Sequence, residues 1–538
     1  MRNTGFLLLS ACLVLSIAAS AQDVHEAYNL SDLSVQGTAR SMGFGNALGS
    51  VGGDFSSVSV NPAGLGIYRS SELSLTPSLK INGTSSEYTG ATMSDNSTRF
   101  NFNNFGIVLT NAPKGKRYDH RNWKTVSFAL GMNRVADFNY NYTYTGKTNS
   151  SSASQVFESD ANLNPGNATT INNSYGSMGY QSYLLNQNAA GQFATIVPFT
   201  GGVNQLKSNQ ITGGINEYTM SLGGNYKEKL MLGITIGIPV VNYQSNYYFQ
   251  ESLAEGNTSP NPSGFQSFNY NDNVNVNGAG VNAKLGAIYK FSDIFRIGAA
   301  FHTPTYYSIN DLSSPGITTS RYNGDSVATL GGWGLQNEFN YHFTTPWKGV
   351  LSATIMLNTF GFITADYEYV DYSTMRYMYP GGIDFNTNLP FQEEADQINQ
   401  EIKKTYKGAS NFRLGAEGRI TNTFMVRAGF GYYGNAYTPY GQSTANQYYT
   451  TQRIDLSLGA GLHFRRFFSD VAIVHSMYTG YEQPYTIDYS GVVSSTTPAT
   501  IPTAKINYGI NNVALTVGMK FDTRSGDSRH HHHHHYNS

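Results

Sequence analysis

From Glu72 to Phe521 the chain keeps alternating apolar residues with small or charged ones, the period-two spacing that sends successive side chains to opposite faces of a strand. In one stretch Leu230, Leu232, Ile234, Ile236 and Ile238 share a face against Met231, Gly233, Thr235 and Gly237. In another, Phe412, Leu414, Ala416 and Ile420 oppose Arg413, Gly415, Glu417 and Arg419. The last sets Val513, Leu515, Val517, Met519 and Phe521 against Ala514, Thr516, Gly518 and Lys520. Past the first two dozen residues the longest apolar run is 230–241, short of the ~18 residues a membrane-spanning helix needs. If this chain meets a membrane, it does so with strands.

The pattern predicts about fourteen strands, the first two over 70–83 and 99–110, the last over 504–521. Their connections alternate in length. Short ones at 227–229, 358–361, 421–422 and 465–466 follow every second strand, and long ones at 147–213, 251–271, 310–334, 374–408 and 481–503 follow the others. One lengthy connection, 111–123, breaks the rule on the short side. An even strand count, tight turns on one side, long loops on the other and an apolar face predict an all-β fold: a transmembrane antiparallel β-barrel over 70–521 in the outer membrane of a Gram-negative bacterium. Closure is required because lipid leaves the backbone groups of an open edge unpaired.

Composition agrees with this and narrows the function. With 39 Tyr, 30 Phe and 56 Gly but only 13% charged residues, the chain is too aromatic for disorder. Its net charge of −1 gives no footprint for nucleic acid. Residues 1–21, with Arg2, an apolar stretch from Phe6 to Ala18 and Ala19-Ser20-Ala21, read as a secretory signal peptide. Leu9 to Cys12 is the competing lipoprotein site. Beyond Cys12 there is no cysteine, which excludes disulfides and thiolate chemistry. His530 to His535 reads as an expression tag in the tail 522–538.

Residues 22–69 precede the first strand and are expected inside the barrel as a hatch, because fourteen strands enclose a lumen. The segment 39–66 is rich in glycine and serine and ends on Asn61-Pro62-Ala63-Gly64. Small residues there let backbone approach the wall, and Gly43 and Gly45 permit turns that other residues resist. Ala39, Arg40, Met42, Gly43, Gly45 and Ala47, followed by Asn61, Pro62, Ala63, Gly64 and Leu65, resemble the hatch of the FadL/TodX family of outer-membrane channels for hydrophobic compounds. The stretches 345–349 and 365–373 are similar to its Bacteroidetes branch, whose members are often labelled hemin receptors.

The resemblance implies transport of a hydrophobic small molecule such as a long-chain fatty acid. Loops capture it, the hatch gates its passage, and it leaves sideways into the membrane, with outer-membrane lipid and lipopolysaccharide as surroundings. It also implies two alternatives: a shuttle or accessory subunit of an outer-membrane protein complex that secretes or assembles proteins, and hemin uptake. Neither an enzyme nor a cofactor is expected. The six native histidines show no metal-ligand spacing, and no Gly-x-Ser-x-Gly elbow is present.

Particular residues carry the remaining expectations. In the third strand Val126, Phe128, Leu130 and Met132 keep one parity and Arg134 follows. A charge on the lipid face costs ~2–4 kcal/mol near the midplane, so a bulge spanning Asn133, Arg134 and Asp137 is expected, either adding twist or opening the wall. Pro77, Pro239 and Pro346 also interrupt strand patterns. Charges at lumen parity, Asp366 and Glu368 beside Arg413 and Glu417, then Arg427, either neutralise one another or leave Arg413 or Arg427 to hold a ligand carboxylate. Phe138, Tyr140, Tyr142 and Tyr144, and Tyr367, Tyr369 and Tyr372, suit interfacial girdles. Phe391, Ala395, Ile398, Ile402 and Tyr406 predict a loop helix, packed on its neighbours or clamping ligand.

Overall fold

The computed structural model describes residues 24–113, 120–163, 175–322, 337–382, 390–443, 448–494 and 499–521. The signal peptide with Cys12 and the histidine run lie outside the described residues. Fourteen wall strands follow in chain order: β1 (Ser71–Tyr88), β2 (Ala91–Asn111), β3 in two segments (Trp123–Asp137 and Tyr140–Thr148), β4 (Val203–Tyr226), β5 (Leu230–Leu253), β6 (Phe265–Lys290) and β7 in two segments (Phe295–His302 and Tyr306–Arg321). The others are β8, also in two segments (Asn337–Thr344 and Lys348–Met356), β9 (Gly361–Asp371), β10 (Gly408–Arg419), β11 (Phe424–Tyr433), β12 (Arg453–His463), β13 (Phe467–Glu482) and β14 (Ala504–Phe521). Each pairs antiparallel with the next, and β14 pairs with β1 from Phe521↔Ser71 to Lys505↔Glu87, so the sheet closes.

Side-chain parity settles which face meets lipid. Leu232, Ile234, Ile236 and Ile238 on β5, Phe412 and Leu414 on β10, and Leu515 and Val517 on β14 are all exposed, whereas Thr235, Arg413 and Thr516 are buried inside. A continuous apolar belt of this size would aggregate in water and is solvated by acyl chains instead. Among the described residues no helix is long and apolar enough to cross a membrane.

One connection differs from expectation. Residues 84–98 are not a loop: β1 and β2 run on past the bilayer and meet in a two-residue turn, Thr89 and Gly90, both at positive φ. Here Ser, Thr, Asn and Asp occupy both faces, so the apolar alternation fades although the ladder continues.

Residues 24–69 lie within the ring. They contain α1 (Val24–Asn29), α2 (Ala39–Gly43) and two 3₁₀ turns, Phe55–Ser59 and Pro62–Ile67. They bond the wall on every side. Thr516 of β14 accepts from the Ala39 amide (2.7 Å) and Glu417 of β10 from Arg40 (3.0 Å). Asp366 of β9 accepts from the Gly49 amide (3.0 Å), and the Thr235 hydroxyl of β5 donates to the Val58 carbonyl (2.9 Å).

The wall offers glycine where that backbone presses closest. A Cβ at Gly298 would meet the Gly49 carbonyl at 2.2 Å, one at Gly415 the Phe44 carbonyl at 2.2 Å, and one at Gly233 the Pro62 carbonyl at 2.3 Å. The small inward face read from the sequence is therefore the seat of the N-terminal segment.

Above the barrel, the connection between β3 and β4 carries α3 (Ser154–Leu163) and α4 (Tyr175–Gln181). The connection between β9 and β10 carries α5 (Phe391–Thr405), which buries Ala395 and Ile402 and is tied by Asn399 to the Tyr377 backbone at 2.8 and 2.9 Å. Just past α5, the Tyr406 hydroxyl donates to the Val24 carbonyl at 2.9 Å, so this loop also reaches the start of α1.

Candidate functional site

The motif residues of the N-terminal segment set its shape. Gly45 takes φ +71°, open to glycine and strained for most others, and a Cβ on Gly43 would lie 3.2 Å from the Gly459 Cα. Asn61 caps the second 3₁₀ turn: its Oδ1 accepts from the Ala63 amide (3.1 Å) while its Nδ2 donates to the Gly49 carbonyl (2.6 Å). Pro62 occupies the first position of that turn, where its missing N–H costs nothing. Gly64 packs against Gly52, where a Cβ would lie 3.0 Å from the Gly52 Cα. One asparagine thus ties the second half of the motif back to Gly49, just past the end of its first half.

The wall is interrupted at β3. Its pairing with β4 shifts register between Arg134 and Ala136, and the strand breaks at Phe138 and Asn139. Pairing between β2 and β3 runs only from Asn111↔Val126 to Asn104↔Asn133. Beyond Asn104, the β2 ladder pairs with β1 alone, and the outer segment of β3 swings inward instead of continuing beside it. That segment lies on the inner face of β1, where the Thr84 hydroxyl donates to the Asn141 carbonyl (2.8 Å) and the Tyr88 and Tyr144 rings meet at 5.0 Å.

This swing corrects the girdle assignment for Phe138, Tyr142 and Tyr144, which are only 8%, 5% and 1% exposed. Alternation along a strand predicts the face only while the strand stays in the wall. Of the second aromatic group, Tyr369 meets Trp347 on the outer surface at 5.9 Å, whereas Tyr372 is buried against Tyr28 of α1 at 5.1 Å.

Charge is concentrated at the break. Asp137 accepts from Lys80 (2.7 Å), Arg134 (2.9 Å), Asn101 (2.8 Å) and the Asn139 amide (3.0 Å). Arg134 also donates to the Gly213 carbonyl at 2.6 Å, and Asn133 donates to Ser59 of the N-terminal segment at 3.0 Å. The two other candidates, Arg413 and Arg427, sit across the barrel. Arg413 faces Glu368 (3.5 Å) and Asp366 (3.7 Å), and Arg427 faces Glu417 (2.7 Å) and Asp470 (2.7 Å). Each guanidinium is already opposed by two wall carboxylates.

The prolines coincide with smaller irregularities. The β1–β2 register shifts between Thr76 and Pro77, the β5–β6 pairing lapses at Ile238 and Pro239, and Pro346 falls in the break of β8.

Two cavities open between these parts. The upper one, about 340 Å³, is walled by aromatic side chains of β3, β5 and β6 and of α3, with Lys207, Glu482 and Asp272 among them. The lower one, about 190 Å³, adjoins the bulge through Val135, Ala136 and Asp137 and is more polar, with Lys80, Asp32 and Arg453 in its lining. Five residues line both: His25, Asn29, Phe138, Tyr140 and Tyr448. His25 lies on the Tyr448 ring at 3.8 Å, and the Asn29 amide donates to its Nε2 at 3.1 Å. Burial lowers the His25 pKa to about 3, so the imidazole is neutral at ordinary pH. A third cavity, about 380 Å³, lies beneath the N-terminal segment among Arg40, Asp54, Arg69 and the turn residues Asn358 and Thr359.

The upper lining could not have been found from the sequence. Its members come from positions 25 to 486, and although the outer strand halves keep their aromatics on the inward parity, as at Tyr243, Tyr247 and Phe249, no spacing says which of them meet in one cavity. Among the described residues no cluster of His, Cys, Asp or Glu is placed to hold a metal ion.

A closed fourteen-stranded wall with a greasy exterior, an occupied lumen and a chain of cavities beside a break in one strand defines an outer-membrane channel protein. Residues 14–479 match the family model described as outer membrane protein transport protein (OMPP1/FadL/TodX), and the chain belongs to that family. It is a family of transport channels for hydrophobic compounds in the Gram-negative outer membrane. A FadL homologue of Pseudomonas aeruginosa shares the fold at 13% identity, with TM-score 0.53 over 91% of this chain and 99% of that one. The toluene transporters TodX of Pseudomonas putida and TbuX of Ralstonia pickettii align at 12% and 14% identity. Their TM-scores are 0.46 and 0.45, covering 91% and 89% of this chain and 100% and 99% of theirs. No curated protein sequence matches.

Proposed function

We propose that this protein passes a hydrophobic molecule from the outer surface into the upper cavity, past His25 and Tyr448 into the lower one, and out through the wall between β2 and β3. Residues 24–69 act as the hatch. The observation that carries this reading is the end of β2–β3 pairing at Asn104↔Asn133, beside the lower cavity. A closed barrel ordinarily keeps every ladder intact, because unpaired backbone in lipid costs several kcal/mol per group. An interruption lined by Lys80, Asn101 and Asp137 is a costly feature to keep without a use. Passage is driven by the ligand's own partition and consumption, so the protein only needs to lower the barrier of crossing a polar outer leaflet.

Deletion of Val135, which restores regular β3–β4 register, tests the exit. In a Gram-negative host lacking its own channels of this kind, uptake of a labelled hydrophobic probe is expected with the unaltered protein and is abolished by the deletion. Equal uptake, from a deletion variant whose barrel still runs as the folded form on an unheated gel, would overturn lateral exit.

A further inference from the structure

The upper cavity is lined by charged as well as apolar side chains. Its lining holds three carboxylates, Glu26, Asp272 and Glu482, and one ammonium, Lys207. Lys207 is not free: it is buried, hydrogen-bonded to Glu482 Oε1 and lies 4.8 Å from the centre of the Tyr247 ring. The three carboxylates differ in what they already bind. Glu26 accepts from the Tyr341 hydroxyl at 2.6 Å, and Asp272 accepts from the Ser313 hydroxyl at 2.9 Å and from the Ser314 amide at 3.0 Å. Glu482, only 6% exposed, has one oxygen on Lys207, and its other oxygen, Oε2, is buried without a hydrogen-bond partner.

A buried carboxylate oxygen left unbonded carries a desolvation cost that a ligand donor would cancel. We infer that the ligand of the upper cavity is an apolar molecule bearing a hydrogen-bond-donating head, an amine or a hydroxyl, which Glu482 Oε2 receives while the aromatic walls hold its body. A fatty-acid carboxylate is the wrong head. It has no proton to give at neutral pH, it would have to displace Glu482 from Lys207, and it would bring a fourth carboxyl group beside Glu26, Asp272 and Glu482. An ammonium instead reduces the imbalance and finds ring faces at hand. This inference rests on the proposed route through the upper cavity and adds the chemistry of its passenger.

Three soluble probes with one naphthyl body test it: 2-(1-naphthyl)ethylamine, 2-(1-naphthyl)ethanol and 1-naphthylacetate, each titrated calorimetrically into the full barrel in nonionic detergent, with empty micelles as the blank. The expected order is amine, then alcohol, then carboxylate, with at least about tenfold between the first and last, the scale on which a site built around a buried polar partner rejects the mismatched head. Glu482→Gln frees Lys207 and is expected to invert that order, the acetate becoming the tightest. Acetate binding as tightly as the amine to the unaltered protein overturns the head-group inference and leaves the route standing. Binding of none of the three above the micelle blank overturns the cavity as a ligand site, and the inference with it. If Glu482→Gln does not give a folded barrel, the three titrations of the unaltered protein still decide.

Discussion

Gln36 and Arg134 form an antiparallel bridge in which the Gln36 amide donates to the Arg134 carbonyl at 2.8 Å, joined by a bond of equal length from the Ser34 amide to the Val135 carbonyl. The N-terminal segment thus pairs with β3 at its bulge, just past the point where β2 stops pairing. Gln36→Pro removes the first of these donors and leaves the Arg134 carbonyl without it, a local loss of ~1–3 kcal/mol. The expected outcome is exchange of the Ser34 amide, the remaining donor of the bridge, faster by about tenfold or more, with the wall strands unchanged. Exchange as slow as in the unaltered protein would mean the bridge contributes nothing to seating the hatch.

Arg427 is already engaged by the framework. Its guanidinium sits between Glu417 and Asp470, Glu417 also receives Arg40 from α2, and Asp470 also contacts His463 at 3.0 Å. Arg427→Gln leaves two wall carboxylates undercompensated, and breaking a buried ion pair from one side costs ~3–5 kcal/mol. Arg413→Gln, with longer contacts of 3.5 and 3.7 Å, is expected to cost less. Heat-modifiable gel mobility measures both as lowered transition temperatures. Affinity for the naphthyl probes is expected to stay the same in either variant. A loss of affinity without a loss of stability would restore these arginines as ligand residues.

The glycine seat is tested by a substitution that leaves the lipid face untouched. Gly415→Ala places a Cβ 2.2 Å from the Phe44 carbonyl, a backbone atom that cannot rotate away, whereas Gly418→Ala meets only the Val426 side chain at 3.6 Å. In planar bilayers Gly415→Ala is expected to raise single-channel conductance by unseating the N-terminal segment, and Gly418→Ala to leave it unchanged. Equal conductance of the two variants would show that this contact does not hold the hatch.

What the sequence revealed depended on how local each signal was. Parity along Leu232–Ile238 and Phe412–Leu414 reports the lipid face directly, since every outward position in a barrel meets the same solvent. The bulge was legible for the same reason: Arg134 broke that parity, and the register shift falls between Arg134 and Ala136. The turn at Thr89–Gly90 was obscured where both faces of β1 and β2 become polar above the membrane. The upper cavity was invisible because it depends on β3 leaving the wall, which brings Phe138 and Tyr142 to Lys207 and Glu482 across sequence separations that no pattern encodes. Arg413 and Arg427 could be placed inside with Asp366, Glu368 and Glu417 beside them, but Asp470, the second partner of Arg427, lies two strands on and is brought there only once the strands are paired in register.

His25 makes the seating of α1 depend on pH, and the sign follows from its burial. In the docked state its pKa is about 3, against an ordinary value of 6.5. Between these values the undocked state binds the proton that the docked state refuses, so docking is undisturbed above pH 6.5 and weakens as pH falls. Each unit of that fall costs ~1.4 kcal/mol, which amounts to roughly 2 kcal/mol at pH 5. The other ties of α1, Tyr406 on the Val24 carbonyl and Tyr341 on Glu26, join neutral hydroxyls to acceptors and hold the helix from the loop side. Amide exchange of residues 24–30, corrected for its intrinsic pH dependence, is therefore expected to be less protected at pH 5 than at pH 7 by more than about tenfold. His25→Phe, which keeps the ring against Tyr448 and removes the proton site, is expected to flatten the difference. Protection that is the same at both pH values in the unaltered protein would show that His25 is not buried as described, and that the constriction it forms with Tyr448 between the two cavities stands open.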